Sequence, residues 1–144
     1  MEREKVKAII LDYDGTIADY RQREHLRDTD YQAYIKAGFK DTPIYPTCEI
    51  INKFRSEYKI IILSAREEQC RAEMVAWLSK YNIYYDRLIL KQGTEDVEDH
   101  IAKLGLFKDA IKEYDILFAI DDRSSVVNML RGMGIFVLQC GKGY

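Results

Sequence analysis

The amino-acid sequence predicts an α/β protein whose helices cover both faces of a parallel sheet. Three observations carry that prediction. Five short apolar runs of Ile, Val, Leu and Phe recur along the chain, at residues 6–11, 59–63, 87–90, 116–120 and 135–138. Between most of them, apolar residues repeat at helical spacing. Strand-like and helix-like segments then alternate, as in a sandwich with right-handed crossovers. A strand covered on both faces meets no water on either, so it reads as a continuous apolar run, not as an alternating one.

Taken in order, residues 6–11 form the first predicted strand. Residues 18–46 break the rhythm, being too long for a simple connection, and mix Arg21, Arg23, His25 and Arg27 with Tyr20, Tyr31 and Tyr34. Ile50, Ile51, Phe54 and Tyr58 then share one helical face, with Thr47 after Pro46 as the candidate cap. Cys70, Met74, Trp77, Leu78 and Tyr81 predict a second helix, in which Trp77 and the methionine fit core spacing better than a cofactor box. Val97, Ile101, Leu104 and Phe107 predict a third, which Gly105 weakens or splits. Val126, Val127, Leu130 and Met133 predict a short fourth, with Ser124 or Ser125 near its start and Gly134 past its end.

Composition narrows the classes. A length of 144 residues favours a single domain over 1–144. The chain is 47% hydrophobic, with only 2 Pro and 8 Gly, which excludes a disordered or collagen-like polymer. A net charge of −2 supplies no overall cationic field for nucleic acid, although a local basic patch remains compatible with it. No apolar stretch approaches the ~18 residues of a membrane span. The apolar run behind the charged N-terminus is too short for a signal-peptide core. Cys48, Cys70 and Cys140 are odd in number and lack metal-type spacing, against a disulfide framework or a zinc site. These features predict a cytoplasmic protein with no membrane partner. His25 and His100 lack a partner pattern and read as surface residues.

Chemistry concentrates at three strand ends. The first strand leads into Asp12-Tyr13-Asp14-Gly15-Thr16, the second into Ser64-Ala65-Arg66, and the fourth into Asp121-Asp122-Arg123. In an open α/β sheet, ligands bind beyond the carboxyl ends of the strands, so these groups are expected to share one crevice. Four clustered carboxylates repel one another, and a hard cation relieves them; Mg²⁺ suits oxygen ligands from a few carboxylates plus a substrate phosphate. Such a set suits phosphoryl transfer, with one Asp attacking phosphorus and a second moving the proton. Gly15 lets the backbone turn sharply and approach a phosphate.

The Asp12-Tyr13-Asp14-Gly15-Thr16 run after an apolar strand resembles the first motif of haloacid dehalogenase (HAD) superfamily phosphatases. Ser64 is similar to the second motif, Asp121-Asp122 to the fourth, and either Lys103 or Lys108 to the third. Within the superfamily, the chain resembles the 3′-phosphatase domain of phage polynucleotide kinase over nearly its whole length. The likeness includes Ser64-x-Arg66, Asp99 four residues before Lys103, residues 119–123, Val126-Val127, Met129 and Gly134; on it, Lys103 is the better third-motif lysine. The sequence departs from that bifunctional enzyme in carrying no G-x-x-x-x-G-K-[ST], hence no P-loop for a kinase half.

That resemblance implies a three-layer Rossmann-like sandwich with strand order 3-2-1-4-5, a small insert near residues 18–46 and no large cap. It implies a Mg²⁺ cofactor and an aspartyl-phosphate on Asp12, with Asp14 as general acid and base. Ser64 and Lys103 would hold the phosphate, and Asp12, Asp121 and the Asp14 carbonyl the metal, with Asp122 a ligand or one layer out. Arg23, Arg66, Gly15, Thr16 and Asp99 would contact the substrate. The implied substrate is a nucleic-acid 3′ end or a nucleotide; 5′-nucleotides or another small phosphometabolite are the alternative.

Plainer readings accompany these. Asp12 and Asp14 suit an Asp-Gly turn; Ser64, Asp122 and Ser124 suit helix caps; Arg66, Asp99 and Lys103 suit a solvated face. A receiver domain that accepts a phosphoryl group also uses strand-end carboxylates, but its phosphorylated Asp follows the third strand, where this chain has Leu90-Lys91-Gln92. A non-catalytic module on the same fold requires a missing motif, and none is missing.

Overall fold

The computed structural model describes residues 4–142. In chain order, β1 (Val6–Leu11) is followed by β2 (Ala18–Asp19), a 3₁₀ turn (Arg21–Leu26), α1 (Tyr31–Lys36), a second 3₁₀ turn (Ala37–Lys40) and β3 (Thr42–Pro43). Then come α2 (Tyr45–Phe54), β4 (Lys59–Glu67), a short 3₁₀ turn (Glu68–Cys70), α3 (Arg71–Lys80) and β5 (Arg87–Lys91). The chain continues with α4 (Asp99–Glu113), β6 (Tyr114–Asp121), α5 (Ser124–Gly132) and β7 (Val137–Gln139). Five parallel strands form the central sheet in the order β5-β4-β1-β6-β7. Numbered among the five apolar runs, this is the expected order 3-2-1-4-5.

Alternate residues of the central strands feed two separate cores. Ile9, Leu11, Ile60 and Ile62 pack with Ile51 of α2 and with Met74, Trp77 and Leu78 of α3. Ala8, Ile10, Ile61 and Leu63 face the other way, onto Phe107 of α4 and Val126, Val127 and Leu130 of α5. Both faces are therefore dry, which is why these strands carry no polar alternation. Each buried Ile, Leu, Val, Phe or Met among them contributes roughly 1.5–3 kcal/mol by leaving water.

Strand order in the sheet reverses between β1 and β6: the path first runs outward to β4 and β5, then returns to β6 and β7 on the other side of β1. The crevice at that reversal lies between Asp12, just past β1, and Asp121, the last residue of β6, and the Asp12 N–H donates to the Ile120 carbonyl at 3.0 Å.

Several local expectations are corrected. Thr47 does not cap α2; the helix starts at Tyr45 with Pro46 in its first turn, where a missing N–H costs nothing, and Thr47 is buried inside it. Gly105 does not split α4, which runs unbroken from Asp99 to Glu113, because the glycine looks onto open space and nothing there forces a bend. Arg123 occupies the position before α5, and neither Asp122 nor Ser124 caps it. β4 continues past Leu63 through Ser64 to Glu67, with a register shift against β5 between Ser64 and Glu67. Residues 18–43 fold as a small insert whose base is closed by the antiparallel β2–β3 pair.

Candidate active site

The floor of the site is an acidic cluster. Asp12, Asp121 and Asp122 are buried and can each offer an oxygen within 4.8 Å of the others. Lys103, one turn into α4 and 2% exposed, donates from Nζ to Asp12 at 2.7 Å and to Asp121 at 2.8 Å. Three carboxylates thus face one ammonium. Burial, then repulsion from Asp121, pushes the Asp12 carboxyl well above the usual carboxylate range. Burial works against the Lys103 ammonium, but Asp12 and Asp121 outweigh it and hold the pKa above the ordinary lysine value. Lys108 is exposed, whereas Lys103 is the lysine buried against the carboxylates.

Asp14 does not join this cluster with its carboxylate, so the expected group of four is a group of three. Its side chain turns to two guanidiniums. Arg66 donates from Nε and Nη2 at 2.8 and 2.7 Å, and Arg23 from Nη2 at 2.7 Å. The irregular extension of β4 carries Arg66 across the crevice to this position. Burial alone would raise the Asp14 carboxyl, but Arg66 and then Arg23 more than offset it and hold the pKa below the ordinary value. Ser64 is buried on the same wall and accepts the Arg66 backbone N–H at 3.1 Å.

A cavity of about 130 Å³ opens above these groups, lined by Asp12, Asp14, Ser64, Arg66 and Lys103 among others. Asp99 lies on its rim, paired with Arg123 at 3.2 Å. Three residues expected at the substrate are elsewhere. Gly15, with φ +82°, is needed because a Cβ there would meet an Asp122 oxygen at 2.1 Å, so its close approach is to a carboxylate and not to the cavity. Thr16 is buried and donates to Asp12 at 3.4 Å. Arg23 is fully buried and held by Asp41 at 2.9 Å through both Nε and Nη2, so it reaches the site only through Asp14.

Sequence reasoning missed Asp41. It is wholly buried, anchors Arg23, and has its backbone carbonyl fixed by the Trp77 indole N–H at 2.8 Å. It lies in the insert, 18 residues from Arg23, and no local pattern links the two.

The donor set fits a hard divalent cation. All three clustered ligands are carboxylate oxygens, the anionic surplus is buried, and Lys103 answers only part of it. Among the described residues, no helix is long and apolar enough to cross a membrane.

The family model described as "Polynucleotide kinase PNKP phosphatase domain" matches residues 6–144. The chain belongs to this family. It is thus a HAD phosphatase, a hydrolase close to the polynucleotide kinase 3′-phosphatase domains. Among solved structures, it is similar to a chain of the Pnkp1/Rnl/Hen1 RNA repair complex, at 30% identity and TM-score 0.84 over 97% of this chain and 43% of that one. A second structure of the Pnkp1/Rnl/Hen1 complex gives 30% identity and TM-score 0.85, over 99% and 48%. The chain therefore spans less than half the length of these two relatives. A haloacid dehalogenase-like hydrolase from Streptococcus pneumoniae shares the fold, at 14% identity and TM-score 0.65 over 93% and 84%. No curated protein matches the chain by sequence.

Proposed function

We propose that this chain is a Mg²⁺-dependent phosphomonoesterase that works through an aspartyl-phosphate on Asp12 and removes 3′-phosphates from polynucleotide ends or nucleotides. The observation that carries the chemistry is the setting of Asp12. It is a buried carboxylate at the sheet's reversal point, gripped by Lys103, faced by Asp121 and Asp122, and opening into a cavity of about 130 Å³.

An Asp12 oxygen bonds to phosphorus as the bond to the leaving oxygen breaks, and that oxygen takes a proton from Asp14. Water then attacks the aspartyl-phosphate while Asp14 accepts its proton, and the Asp12–phosphorus bond breaks to release phosphate. Lys103 and Ser64 hold the phosphoryl oxygens. Asp12, Asp121 and the Asp14 carbonyl would hold Mg²⁺, with Asp122 beside them; the ion supplies charge neutralisation as the phosphoryl group transfers.

Asp14 must start protonated to serve as the acid, yet Arg66 and Arg23 favour its ionised form. A phosphate dianion competes with Asp14 for Arg66, and each bond withdrawn lets burial raise the Asp14 pKa towards protonation. Arg66 then has two roles, clamping phosphate and releasing Asp14.

For the substrate, support comes from the family's polynucleotide kinase assignment and from relatives found in RNA repair complexes. Among the described residues the insert is small and no large cap covers the site, which leaves room for a bulky phosphate ester. The test is phosphate release from matched 3′-phosphorylated, 5′-phosphorylated and mononucleotide substrates. The 3′-phosphates are expected to lead. If 5′-nucleotides or sugar phosphates outrun every 3′-phosphate, the nucleic-acid reading fails and the phosphatase assignment stands.

A further inference from the structure

The catalytic cavity is smaller than the usual site for an organic ligand. It measures about 130 Å³, whereas the groove that opens beside it measures about 830 Å³, within the range of sites that take organic ligands. The groove lies between the insert and residues 91–100, which lead into α4. Arg27, Tyr31 and Ile35 line both spaces, so a group attached to a phosphate in the cavity passes these side chains on its way out.

Tyr31 is the aromatic residue at that junction, and it is 60% exposed. Single exposed aromatics are common and need no explanation by themselves. This one is braced. Its ring centroid lies 5.9 Å from that of Tyr34, tilted by 30°. The Tyr34 ring in turn packs 4.3 Å from the Arg23 guanidinium, which is buried and fixed by Asp41. The support therefore runs from the buried Arg23–Asp41 pair to an exposed ring beside the reaction centre. A flat, pre-positioned surface of this kind binds another flat surface at little entropic cost.

The charge of the groove limits what else it can hold. Its five carboxylates, among them Glu67, Asp96 and Glu98, outnumber its four Lys and Arg side chains. Of those four, Arg66 is shared between Asp14 and the phosphate in the cavity, and Arg123 pairs with Asp99. A track for a phosphodiester backbone needs a net positive surface, because neutralised phosphates supply most of such binding. This groove has none.

Resting on the substrate reading above, we infer that Tyr31 is the platform on which the base of the 3′-terminal nucleoside stacks, and that the groove recognises this one nucleoside, not the phosphates further along the strand. A nucleoside 3′-monophosphate is then close to a complete substrate. The stretch of chain on its 5′ side adds little to recognition, and duplex ends must fray to present the base.

The test compares kcat/KM for a nucleoside 3′-monophosphate, a 3′-phosphorylated oligonucleotide and a base-free methyl riboside 3-phosphate, in the wild type, Tyr31→Phe and Tyr31→Ala. The wild type should favour the two base-bearing substrates over the base-free one by about tenfold, the scale of one base–aromatic stack. Tyr31→Ala should erase that preference by slowing only the base-bearing substrates, and Tyr31→Phe should keep it. The oligonucleotide and the monophosphate should respond alike to added salt.

Equal losses on base-bearing and base-free substrates in Tyr31→Ala, or no loss on either, would overturn the stacking role. An oligonucleotide preferred tenfold over the monophosphate, with a steep salt dependence, would overturn the single-nucleoside groove. In both cases the 3′-phosphatase reading survives. A wild type that prefers 5′-nucleotides or sugar phosphates to every 3′-phosphate removes that reading, and this inference with it.

Discussion

Asp12 and Asp14 are two residues apart, yet they belong to opposite electrostatic regions. Around Asp12, three buried carboxylates meet one lysine, and the Asp12 pKa is driven up. Around Asp14, two carboxylates, its own and that of Asp41, meet two arginines, and the Asp14 pKa is driven down. The second region is internally balanced and needs nothing from outside. The first holds more carboxylates than cations, buried at the base of the cavity. On the mechanism proposed above, the difference separates two jobs: the Asp12 side would receive a cation and a phosphoryl group, and the Asp14 side would hold a proton-transfer group still.

Substitution of Asp12 breaks the comparison most severely. Asp12→Asn is expected to lower phosphate release by about 10⁴-fold or more, as loss of a nucleophile typically does. It also removes one of three repelling charges, so the metal-free variant should unfold at a urea midpoint no lower than that of the wild type. Retention of more than about a tenth of the activity would show that Asp12 is not the attacking group.

Chelation tests the charge deficit itself. Removal of divalent ions should abolish turnover, Mg²⁺ should restore it, and Ca²⁺ should substitute poorly because its larger, looser shell displaces the phosphate. Mg²⁺ should also raise the Tm by mass action, and by less in Asp121→Asn. Full activity in excess chelator is the result that defeats the mechanism.

The balanced side should respond in stability before it responds in specificity. Arg23→Ala leaves the buried Asp41 carboxylate without its cation, at a cost of about 3–5 kcal/mol in urea unfolding. Because Arg23 reaches the site only through Asp14, turnover of a 3′-nucleotide and of p-nitrophenyl phosphate should fall by similar factors. A loss confined to the nucleotide would place Arg23 on the substrate after all.

The smallest expected effect is a pH signature. Asp14 titrates below its ordinary value of 3.8, so its stabilising contribution is complete above that value and is lost as pH falls through the lower, folded-state pKa. Metal-free wild type should therefore lose stability more steeply than Asp14→Asn over that acid range, as read from urea midpoints. Parallel curves would mean that the two arginines do not hold Asp14 in the way their geometry indicates.

Much of the catalytic floor was readable in advance. Asp12, Ser64 and Asp121 each terminate or extend a continuous apolar strand, and strand ends in this architecture converge. The family resemblance favours Lys103 over Lys108, and the structure buries Lys103 against two carboxylates. The insert was opaque. Its helix has 6 residues and its strands 2 each, too short for any periodicity to register. Arg23 looked like a solvent-facing contact because the chain around it is polar, but a partner 18 residues away draws it wholly inside.

By itself, then, the sequence determined the layered sheet, the order in which its strands deliver polar groups, and the acidic character of the crevice. These follow from short-range periodicity and from apolar surface leaving water, both written locally in the chain. Only the tertiary structure decided which carboxylate met a lysine and which met arginines, and that Gly15 yields its space to Asp122. Charge pairing depends on separations of a few ångströms in a poorly screened interior, and those separations are created by parts of the chain that lie far apart in sequence.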